Sequence, residues 1–299
     1  MASTIFYINC PFCNSTNFQK SLTVKDYTVS KELFDVLHCN DCTNRFTQNI
    51  ATQNEIGKYY QSENYISHSD TQKDFISKIY HAVRNITLQK KKKLIISLTK
   101  KLEGKLLDVG AGTGAFANTM IAAGWQLTAL EPDETARTVA KVKYNLNLEN
   151  PSHLYGLAKD SFDAITLWHV LEHIHTLKEY LQQFHYVLKA DGKLIIAVPN
   201  YTSFDATYYQ EYWAGYDVPR HLYHFSPTGM EKLANQLGFN IVATKAMWFD
   251  SVYVSMLSEK YKTGSTSLIK AFFIGMISNM NAILNSKKCS SVIYVLQKK

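Results

Sequence analysis

The stretch Lys105-Leu106-Leu107-Asp108-Val109-Gly110-Ala111-Gly112-Thr113-Gly114 joins an apolar strand to a turn that contains three alternating glycines. Glycine allows the backbone to adopt positive φ and to approach a ligand closely, while the apolar residues before the turn are typical of a buried parallel strand. A pyrophosphate-binding loop has the spacing G-x-G-x-x-G, whereas the spacing here is G-x-G-x-G with Asp108 near the end of the strand. A carboxylate at this position would repel a pyrophosphate, so the stretch predicts a cationic ligand that carries an amino acid moiety.

A second acidic residue follows the next apolar segment. Glu131 ends the strand-like part of Ala129-Leu130-Glu131-Pro132-Asp133, where its carboxylate can accept hydrogen bonds from both ribose hydroxyls of a nucleoside. Taken alone, Glu131 could equally be an exposed acid at a turn before a proline. Together with Asp108 and the three glycines, it predicts a site for a nucleoside cofactor.

From residue 105 onward, apolar runs alternate with amphipathic stretches, which predicts βαβ units and a mostly parallel sheet. The predicted strands cover residues 105–109, 126–130, 162–167, 193–198, 240–248 and 291–297. Helical spacing predicts helices over residues 71–102, 116–123 and 177–188. A further helix has Ser226 as N-cap, Pro227 at its first position and Gly238 just past its end.

Four of the five cysteines form two CxxC pairs, Cys10 with Cys13 and Cys39 with Cys42. Two such turns present four thiolates that can close a tetrahedral zinc site. The pattern therefore predicts a zinc ribbon with structural zinc. Two disulfides, and free or redox thiols, are the alternatives. The absence of a signal-peptide pattern predicts a reducing, cytoplasmic location, which disfavours disulfides. The isolated Cys289 is predicted to lie in the core.

These patterns divide the chain into three segments. We expect a zinc-ribbon-like module at residues 1–50, a helical linker or lid at 51–104, and a domain at 105–299 with a C-terminal insert at about 249–288. Residues 268–284 are apolar but fall short of the roughly 20 residues that a spanning helix needs, so they predict a buried or interfacial helix and no transmembrane segment. A weak peripheral membrane contact is an open alternative, made through Phe272, Phe273, Met276 and Met280.

The net charge of +7 is partly concentrated in a lysine-rich segment. Its members are Lys90, Lys91, Lys92, Lys93, Lys100 and Lys101. Such a run is typical of a solvated helix face, and a polyanion-binding patch is the alternative.

The chain resembles the class I S-adenosylmethionine-dependent methyltransferases over about residues 90–299. The resemblance lies in Leu106 to Gly114, Leu130 to Asp133, Phe162-Asp163-Ala164-Ile165, Val170-Leu171-Glu172-His173-Ile174 and Leu188-Lys189-Ala190-Asp191-Gly192-Lys193. It implies an α/β fold with a Rossmann-like seven-stranded, mostly parallel sheet whose last strand is antiparallel. In this chain, the small N-terminal zinc ribbon would be added to that fold.

The resemblance also implies cofactor contacts. Asp108, Gly110, Gly112 and Gly114 would lie near the methionine part of S-adenosyl-L-methionine, and Glu131 would hold its ribose. Trp168 and His169 are candidates for the same pocket. No residue is assigned to the adenine.

Methyl transfer from a sulfonium depends mainly on positioning, and a hydroxyl or ammonium acceptor also needs a base. An imidazole suits that role. The candidates are His173, His221 and His224. Arg220 and Tyr223, in the segment with the last two histidines, are candidate substrate residues.

That segment resembles the Arg-His-Leu-x-His-Phe segment of a bacterial subgroup linked to small-molecule and sugar or cell-envelope methylation. Tyr60, Tyr65 and His68 resemble the entry segment of the same subgroup and are further candidates for substrate contact.

We therefore predict methyl transfer by in-line displacement to a small molecule or saccharide. Two other functions stay open at this stage. One is methylation of RNA or protein gripped by the ribbon and the basic helix, and the other is a noncatalytic zinc-ribbon adaptor whose second domain only binds a ligand. The sequence does not predict the oligomeric state.

Overall fold

The computed structural model describes residues 4–60, 75–265 and 267–299. Two of the candidate substrate residues, Tyr65 and His68, lie outside these ranges.

The N-terminal part consists of short strands. They are β1 (Thr4–Ile5), β2 (Phe18–Lys25), β3 (Leu33–Cys39), β4 (Arg45–Thr47) and β5 (Ile50–Ala51). Strands β2, β3 and β4 form an antiparallel sheet, and β1 pairs with β5. A 3-10 helix at Ile56–Tyr60 follows, and a long helix, α1 (Phe75–Thr99), leads into the larger part of the molecule.

The larger part alternates strands and helices. Its strands are β6 (Lys105–Val109), β7 (Gln126–Leu130), β8 (Phe162–Trp168), β9 (Leu188–Pro199), β10 (Tyr223–His224), β11 (Phe239–Ala246) and β12 (Ser291–Lys298). Its helices are α2 (Ala115–Ile121), α3 (Glu134–Tyr144), α4 (Leu177–Val187), α5 (Phe204–Tyr209), α6 (Pro227–Gln236), α7 (Trp248–Thr263) and α8 (Leu268–Leu284). The strands and helices predicted from the sequence are confirmed, with ends that shift by a few residues.

Six strands form the main sheet in the order β11-β12-β9-β8-β6-β7. Strands β7, β6, β8 and β9 are parallel, and β12 runs antiparallel to both of its neighbours, as predicted for the last strand. The implied seventh strand is not formed in the described residues. Beside β7 there is only a single parallel bridge, between Leu130 and Glu149. The chain then turns away, because Asn150 caps a 3-10 helix that has a proline at its first position, Pro151–Gly156.

The two faces of the main sheet are both covered. On one face, Leu106, Ala164 and Ile195 share a core cluster with side chains of α1 and α2, Ile95, Phe116 and Met120. On the other face, the next residues along the strands pack against α4 and α6. The strand residues are Leu107, Ile165 and Ile196, and the helix residues that they pack with are Leu181, Phe184, Met230 and Leu233. This double cover leaves the carboxyl ends of the parallel strands as the edge where ligands bind in such sheets.

The N-terminal module is joined to the larger part by a shared sheet. Strand β10 pairs antiparallel with β4, Tyr223 opposite Phe46 and His224 opposite Arg45, which makes the smaller sheet four-stranded. The cysteine side chains and Phe12 belong to the same buried cluster as the α4 side of the main sheet. The sequence boundaries at residues 50 and 105 therefore do not separate two independent cores.

The predicted insert at residues 249–288 consists mainly of two helices, α7 and α8, which contact each other closely. Among the described residues, no helix has the length and apolar character needed to cross a membrane.

Candidate active site

The glycine turn after β6 has the backbone that only glycine adopts easily. Gly110, Gly112 and Gly114 all have positive φ, at 70°, 54° and 79°. A Cβ on Gly110 would lie 2.4 Å from Val170 Cγ2, whereas a Cβ on Gly112 would meet nothing within 4 Å. The open side of the turn therefore lies at Gly112, where a ligand can approach the backbone.

Asp108 is buried directly below this turn. Its Oδ1 accepts a hydrogen bond of 2.7 Å from Thr166 Oγ1 on the neighbouring strand β8. Burial raises the pKa of Asp108 to about 7, although Thr166 and the ammonium of Lys91 favour the ionised form. A cation placed beside Asp108 would lower this pKa again and be held by the resulting carboxylate.

Glu131, at the end of β7, faces the same turn. Its carboxylate accepts hydrogen bonds from the backbone N–H of Gly112 at 2.7 Å and of Asp133 at 3.0 Å. Burial raises the pKa of Glu131 above its ordinary value, against the effect of these two donors. The structure thus brings together the glycine turn and both acids that the sequence singled out.

Trp168 ends strand β8 near the same edge, and its indole Nε1 has no hydrogen-bond partner among the described residues. The ammonium of Lys91 lies 4.3 Å from the centre of its ring. Burial lowers the pKa of Lys91 to about 8. In the lysine-rich segment, Lys90 and Lys93 are exposed but Lys91 is partly buried. The predicted solvated face therefore applies to only part of the segment.

His169 follows Trp168 and lies between two carboxylates. Its Nε2 is 2.8 Å from Asp250 Oδ2, and its Nδ1 is 3.4 Å from Glu172 Oε1. Burial lowers the pKa of His169, but Asp250 and Glu172 outweigh this effect and raise it to about 10. Asp250 was not singled out from the sequence, because nothing in an acid at the start of α7 indicates a partner 81 residues earlier.

His173 and His221 meet at Glu172. Their ring centres are 4.7 Å apart, and one ligand atom of each of the three residues lies within 4.8 Å of the others. The Nδ1 of His173 is 3.0 Å from both the carbonyl oxygen of Arg220 and Tyr60 Oη. Burial lowers the pKa of His173 to about 4, so this imidazole is neutral at pH 7.

The third histidine candidate lies apart from this cluster. The Nε2 of His224 is 3.0 Å from Thr47 Oγ1 on β4, and burial holds its pKa well below the ordinary value. Tyr223, beside it, is buried and donates a hydrogen bond of 3.0 Å to the carbonyl of His175.

Arg220 is also buried and engaged within the protein. Its guanidinium donates hydrogen bonds to Asp217, to Asp26 Oδ1 at 2.9 Å and to the carbonyl of Tyr59 at 2.8 Å. These contacts tie the N-terminal module to the segment before β10. Asp26 had no sequence signal, because its partner is 194 residues away.

The four N-terminal cysteines converge on one point. The Sγ atoms of Cys10 and Cys42 are 3.6 Å apart, as are those of Cys13 and Cys39, and all four lie within 4.8 Å of one another. Four thiolates around zinc, each with a bond of about 2.3 Å, lie about 3.8 Å apart in a tetrahedron, whereas a disulfide requires about 2.0 Å. The arrangement can hold a metal ion and contains no disulfide. The remaining cysteine, Cys289, is buried, as predicted.

Comparison with known proteins agrees with this geometry. Residues 81–244, more than half of the chain, match the family described as methyltransferase domain. The chain belongs to this family. It is an S-adenosylmethionine-dependent methyltransferase.

Individual relatives cover the same region. A ubiquinone biosynthesis O-methyltransferase of Xanthomonas oryzae is 27% identical over 166 residues, which is 52% of this chain and 67% of that protein. An uncharacterized methyltransferase of Staphylococcus carnosus is 23% identical over 161 residues, 50% of this chain and 76% of that protein. Among solved structures, magnesium protoporphyrin IX methyltransferase from Synechocystis, with bound SAH, has a TM-score of 0.52 at 15% identity, covering 81% of this chain and 97% of that one. This last likeness concerns the fold.

Proposed function

We propose that this methyltransferase binds S-adenosylmethionine across the carboxyl ends of β6, β7 and β8. In this arrangement Asp108 attracts the cationic methionine part, Glu131 accepts the ribose hydroxyls, and the backbone at Gly112 lies alongside the cofactor. The observation that carries the proposal is the contact of Glu131 with the N–H of Gly112, because it fixes an acceptor carboxylate at the open side of the glycine turn. Trp168 and His169 would line the pocket from β8.

We propose a hydroxyl group of a small molecule or saccharide as the methyl acceptor. The acceptor oxygen attacks the methyl carbon, the carbon–sulfur bond breaks, its electron pair stays on sulfur, and the hydroxyl proton passes to a base. The neutral imidazole of His173 and the imidazole of His221 are the candidate bases, since both rings lie beside Glu172, which contacts His169. Relatives named as ubiquinone biosynthesis O-methyltransferases support an oxygen acceptor.

The other three candidate residues receive different roles in this proposal. His224, Arg220 and Tyr223 are buried and bonded to β4, to the N-terminal acids and to a backbone carbonyl. We therefore assign them to the junction with the N-terminal module, which shapes the acceptor side of the pocket. Tyr60, whose hydroxyl lies beside His173, is the described residue of the proposed entry segment.

We also propose structural zinc at the four cysteines, in a ribbon at residues 1–50 with a linker at 51–104 and the methyltransferase domain at 105–299. The sulfur spacing supports zinc, and a reducing, cytoplasmic setting would keep the thiolates available to it.

Isothermal calorimetry of the zinc-loaded chain with S-adenosylmethionine and with S-adenosylhomocysteine tests the proposed binding site for the methyl donor, which we call the donor site. We expect both to bind at one site per chain. The absence of binding by a folded, zinc-loaded protein would overturn the proposal. The acceptor is then sought by mass spectrometry, as a gain of one methyl group in a hydroxylated small molecule or sugar.

A further inference from the structure

The buried carboxylate of Glu172 lies beside His169, one of the residues proposed to line the pocket for the methyl donor. Glu172 is fully buried, and neither of its carboxylate oxygens has a hydrogen-bond partner among the described residues. The contact of His169 Nδ1 with Oε1, at 3.4 Å, lacks hydrogen-bond geometry. His169 is also in contact with Asp250, at 2.8 Å, so one imidazolium is shared by two carboxylates. A buried carboxylate that is only partly compensated is costly, so this position favours a second cation.

Each of the two neighbouring imidazoles has a backbone carbonyl oxygen as the partner of its Nδ1. The Nδ1 of His173 lies 3.0 Å from the carbonyl oxygen of Arg220, and the Nδ1 of His221 lies 2.9 Å from that of Gly215. Because a carbonyl oxygen only accepts, each Nδ1 carries the proton and each Nε2 keeps its lone pair. A backbone acceptor on the second ring nitrogen is the usual support of a metal-bound histidine.

We propose that Glu172, His173 and His221 bind a divalent transition-metal ion. Two imidazoles and one carboxylate, with their ligand atoms within 4.8 Å of one another, form the donor set of open metal sites that keep a position for water or substrate. The ion would supply a second positive charge to Glu172, which shares the imidazole of His169 with Asp250.

The reactive role of this ion rests on the proposed function, whereas its binding does not. A hydroxyl oxygen of the acceptor would occupy the open position of the metal. Coordination lowers the pKa of that hydroxyl, so its proton is released before the oxygen attacks the methyl carbon. Since His173 and His221 would then be ligands, the proton would leave to solvent and not to either imidazole.

Metal content tests the site. We expect zinc-dialysed protein to hold two zinc ions per chain, of which Glu172→Gln and Cys13→Ser each lose one. The matched control is His175→Asn, because His175 contacts the carbonyl of Ala51 outside the cluster and should leave both ions in place.

Cobalt substitution distinguishes the two sites by spectrum. Co²⁺ at the four cysteines gives intense thiolate charge-transfer absorption, whereas Co²⁺ at the second site adds only weak visible bands, which Glu172→Gln should remove. If Glu172→Gln does not fold, His173→Asn provides the same readout. A wild-type chain that never exceeds one ion, or a Glu172→Gln chain that retains two, overturns the metal site. Calorimetry with S-adenosylmethionine on the same samples reports separately on the donor site.

A second, independent inference concerns helix α8, which is apolar on the outside and polar within. Its inward residues are small or polar: Ala271, Gly275, Ser278, Asn279 and Ala282 are buried with Ile274. Its outward residues are large, apolar and exposed: Leu268, Ile269, Phe272, Phe273, Met276, Ile277, Met280, Ile283 and Leu284. This is the reverse of a helix on the surface of a protein in water. We call this outward surface the apolar face.

The inward side packs as helices do in lipid. A Cβ on Gly275 would lie 2.7 Å from Val252 Cα, so α8 approaches the backbone of α7 closely, and Ser278 Oγ donates a 2.6 Å hydrogen bond to Asp205. Small residues and buried polar bonds are typical of helix contacts in a bilayer. Trp248, Phe249 and Tyr253 of α7 are exposed as well.

We propose that the apolar face lies in the interface of an anionic membrane. The segment from Trp248 to Lys288 carries five lysines and two acids, and the acids pair with His169 and with Lys270. With Lys270 paired to Glu259, the remaining lysines Lys260, Lys262, Lys287 and Lys288 give the surroundings of the apolar face a positive charge. Acidic headgroups complement this charge, whereas a second copy of the chain would bring lysines against lysines.

Flotation with vesicles of phosphatidylcholine and phosphatidylglycerol, in equal amounts, tests this surface. We expect the full chain to float with them and to lose at least tenfold in affinity on Phe273→Asp, while the control Val142→Asp, at an exposed valine of α3, changes nothing. Failure to float at low salt would overturn the proposal. So would a dimer, seen by light scattering, that Phe273→Asp dissociates. Donor binding should be unchanged in Phe273→Asp, which separates this test from that of the methyl donor.

Discussion

The carboxyl group of Asp108 titrates in the physiological range because it is buried below the glycine turn. Its pKa, raised from an ordinary 3.8 to about 7, means that the folded chain binds a proton there between about pH 4 and pH 7, where the unfolded chain does not. This group therefore stabilises the donor-free protein fully below pH 4, and the contribution is lost as the pH rises through 7.

Donor binding should show the opposite pH dependence. A cationic donor favours the ionised form of Asp108, so its affinity should be about tenfold weaker at pH 6 than at pH 8. Calorimetry across this range in the wild type and in Asp108→Asn is the measurement. The variant should bind weakly with little change across the range, and an equally steep dependence in Asp108→Asn would contradict the role of this carboxyl.

Glu131 should determine donor affinity through its charge as well as its shape. Replacing it by glutamine keeps the size but removes the anion that faces Gly112 N–H and the proposed ribose. Hydrogen bonds to charged groups contribute about 1.5–3 kcal/mol, so Glu131→Gln should weaken donor binding about 10- to 100-fold.

The matched control is Glu134→Gln, three residues further on, where the side chain is exposed in the first turn of α3. It should leave the dissociation constant within a factor of two. Equal losses in both variants would mean a general electrostatic effect and not a contact.

At the scale of elements, the turn between β6 and α2 contains two glycines, Gly110 and Gly112, which have similar backbone conformations and different surroundings. Alanine at Gly112 should cost about 1–2 kcal/mol of unfolding free energy, from its positive φ alone, because its Cβ meets open space. Alanine at Gly110 adds a clash at 2.4 Å with Val170, and overpacking of this kind costs about 1–3 kcal/mol more.

Urea unfolding of the two variants measures this difference. The larger loss should occur in Gly110→Ala, whereas Gly112→Ala should fold well but bind the donor poorly. If Gly112→Ala were the less stable of the two, the open side of the turn would have been assigned wrongly.

Most strands and helices could be predicted because their signals are local. The apolar run of β6, the Ser226 and Pro227 signals that begin α6, and the apolar length of α8 are each read within a few residues, and each was confirmed. The seventh strand failed because pairing beside β7 competes with a local turn, and Asn150 with Pro151 ends the pairing after one bridge.

The site could be predicted only where its residues belong to one motif. Asp108, Glu131 and the glycines lie at the ends of neighbouring strands, so the sequence locates them together. The partners of His169 and Arg220 could not be found in this way, since Asp250 and Asp26 are brought to them by the packing of α7 and of the N-terminal module.

At the scale of the whole molecule, a buried ion pair connects the N-terminal module to the segment before β10. Asp26 and Arg220 are both about 1% exposed, and their contact is 2.9 Å. Removing one partner of a buried pair leaves the other charge uncompensated, so Asp26→Asn should lower the free energy of unfolding by about 3–5 kcal/mol.

The control pair is Lys20 with Asp35, at 2.7 Å but about half exposed. Because solvent screens such pairs, Asp35→Asn should cost at most about 1 kcal/mol. Denaturant unfolding of both variants makes the comparison, and similar losses would show that Asp26 does not connect the two parts.

Zinc removal should destabilise the methyltransferase part and not only the ribbon. All four tryptophans, at 125, 168, 213 and 248, lie outside residues 1–50, so their fluorescence reports the larger part alone. Because β4 pairs with β10 and Thr47 bonds to both His221 O and His224, unfolding of the cysteine module removes bonds from the larger part.

We expect a chelator to lower the Tm seen by tryptophan fluorescence, by about 2–4 °C for each kcal/mol of stability lost. The Glu172→Gln chain, which lacks the second metal site, should still lose Tm on chelation, whereas a chain with both Glu172→Gln and Cys13→Ser should not respond, which assigns the remaining loss to the four-cysteine site. A fluorescence transition that stays in place while far-ultraviolet circular dichroism changes would instead mean that the ribbon unfolds alone.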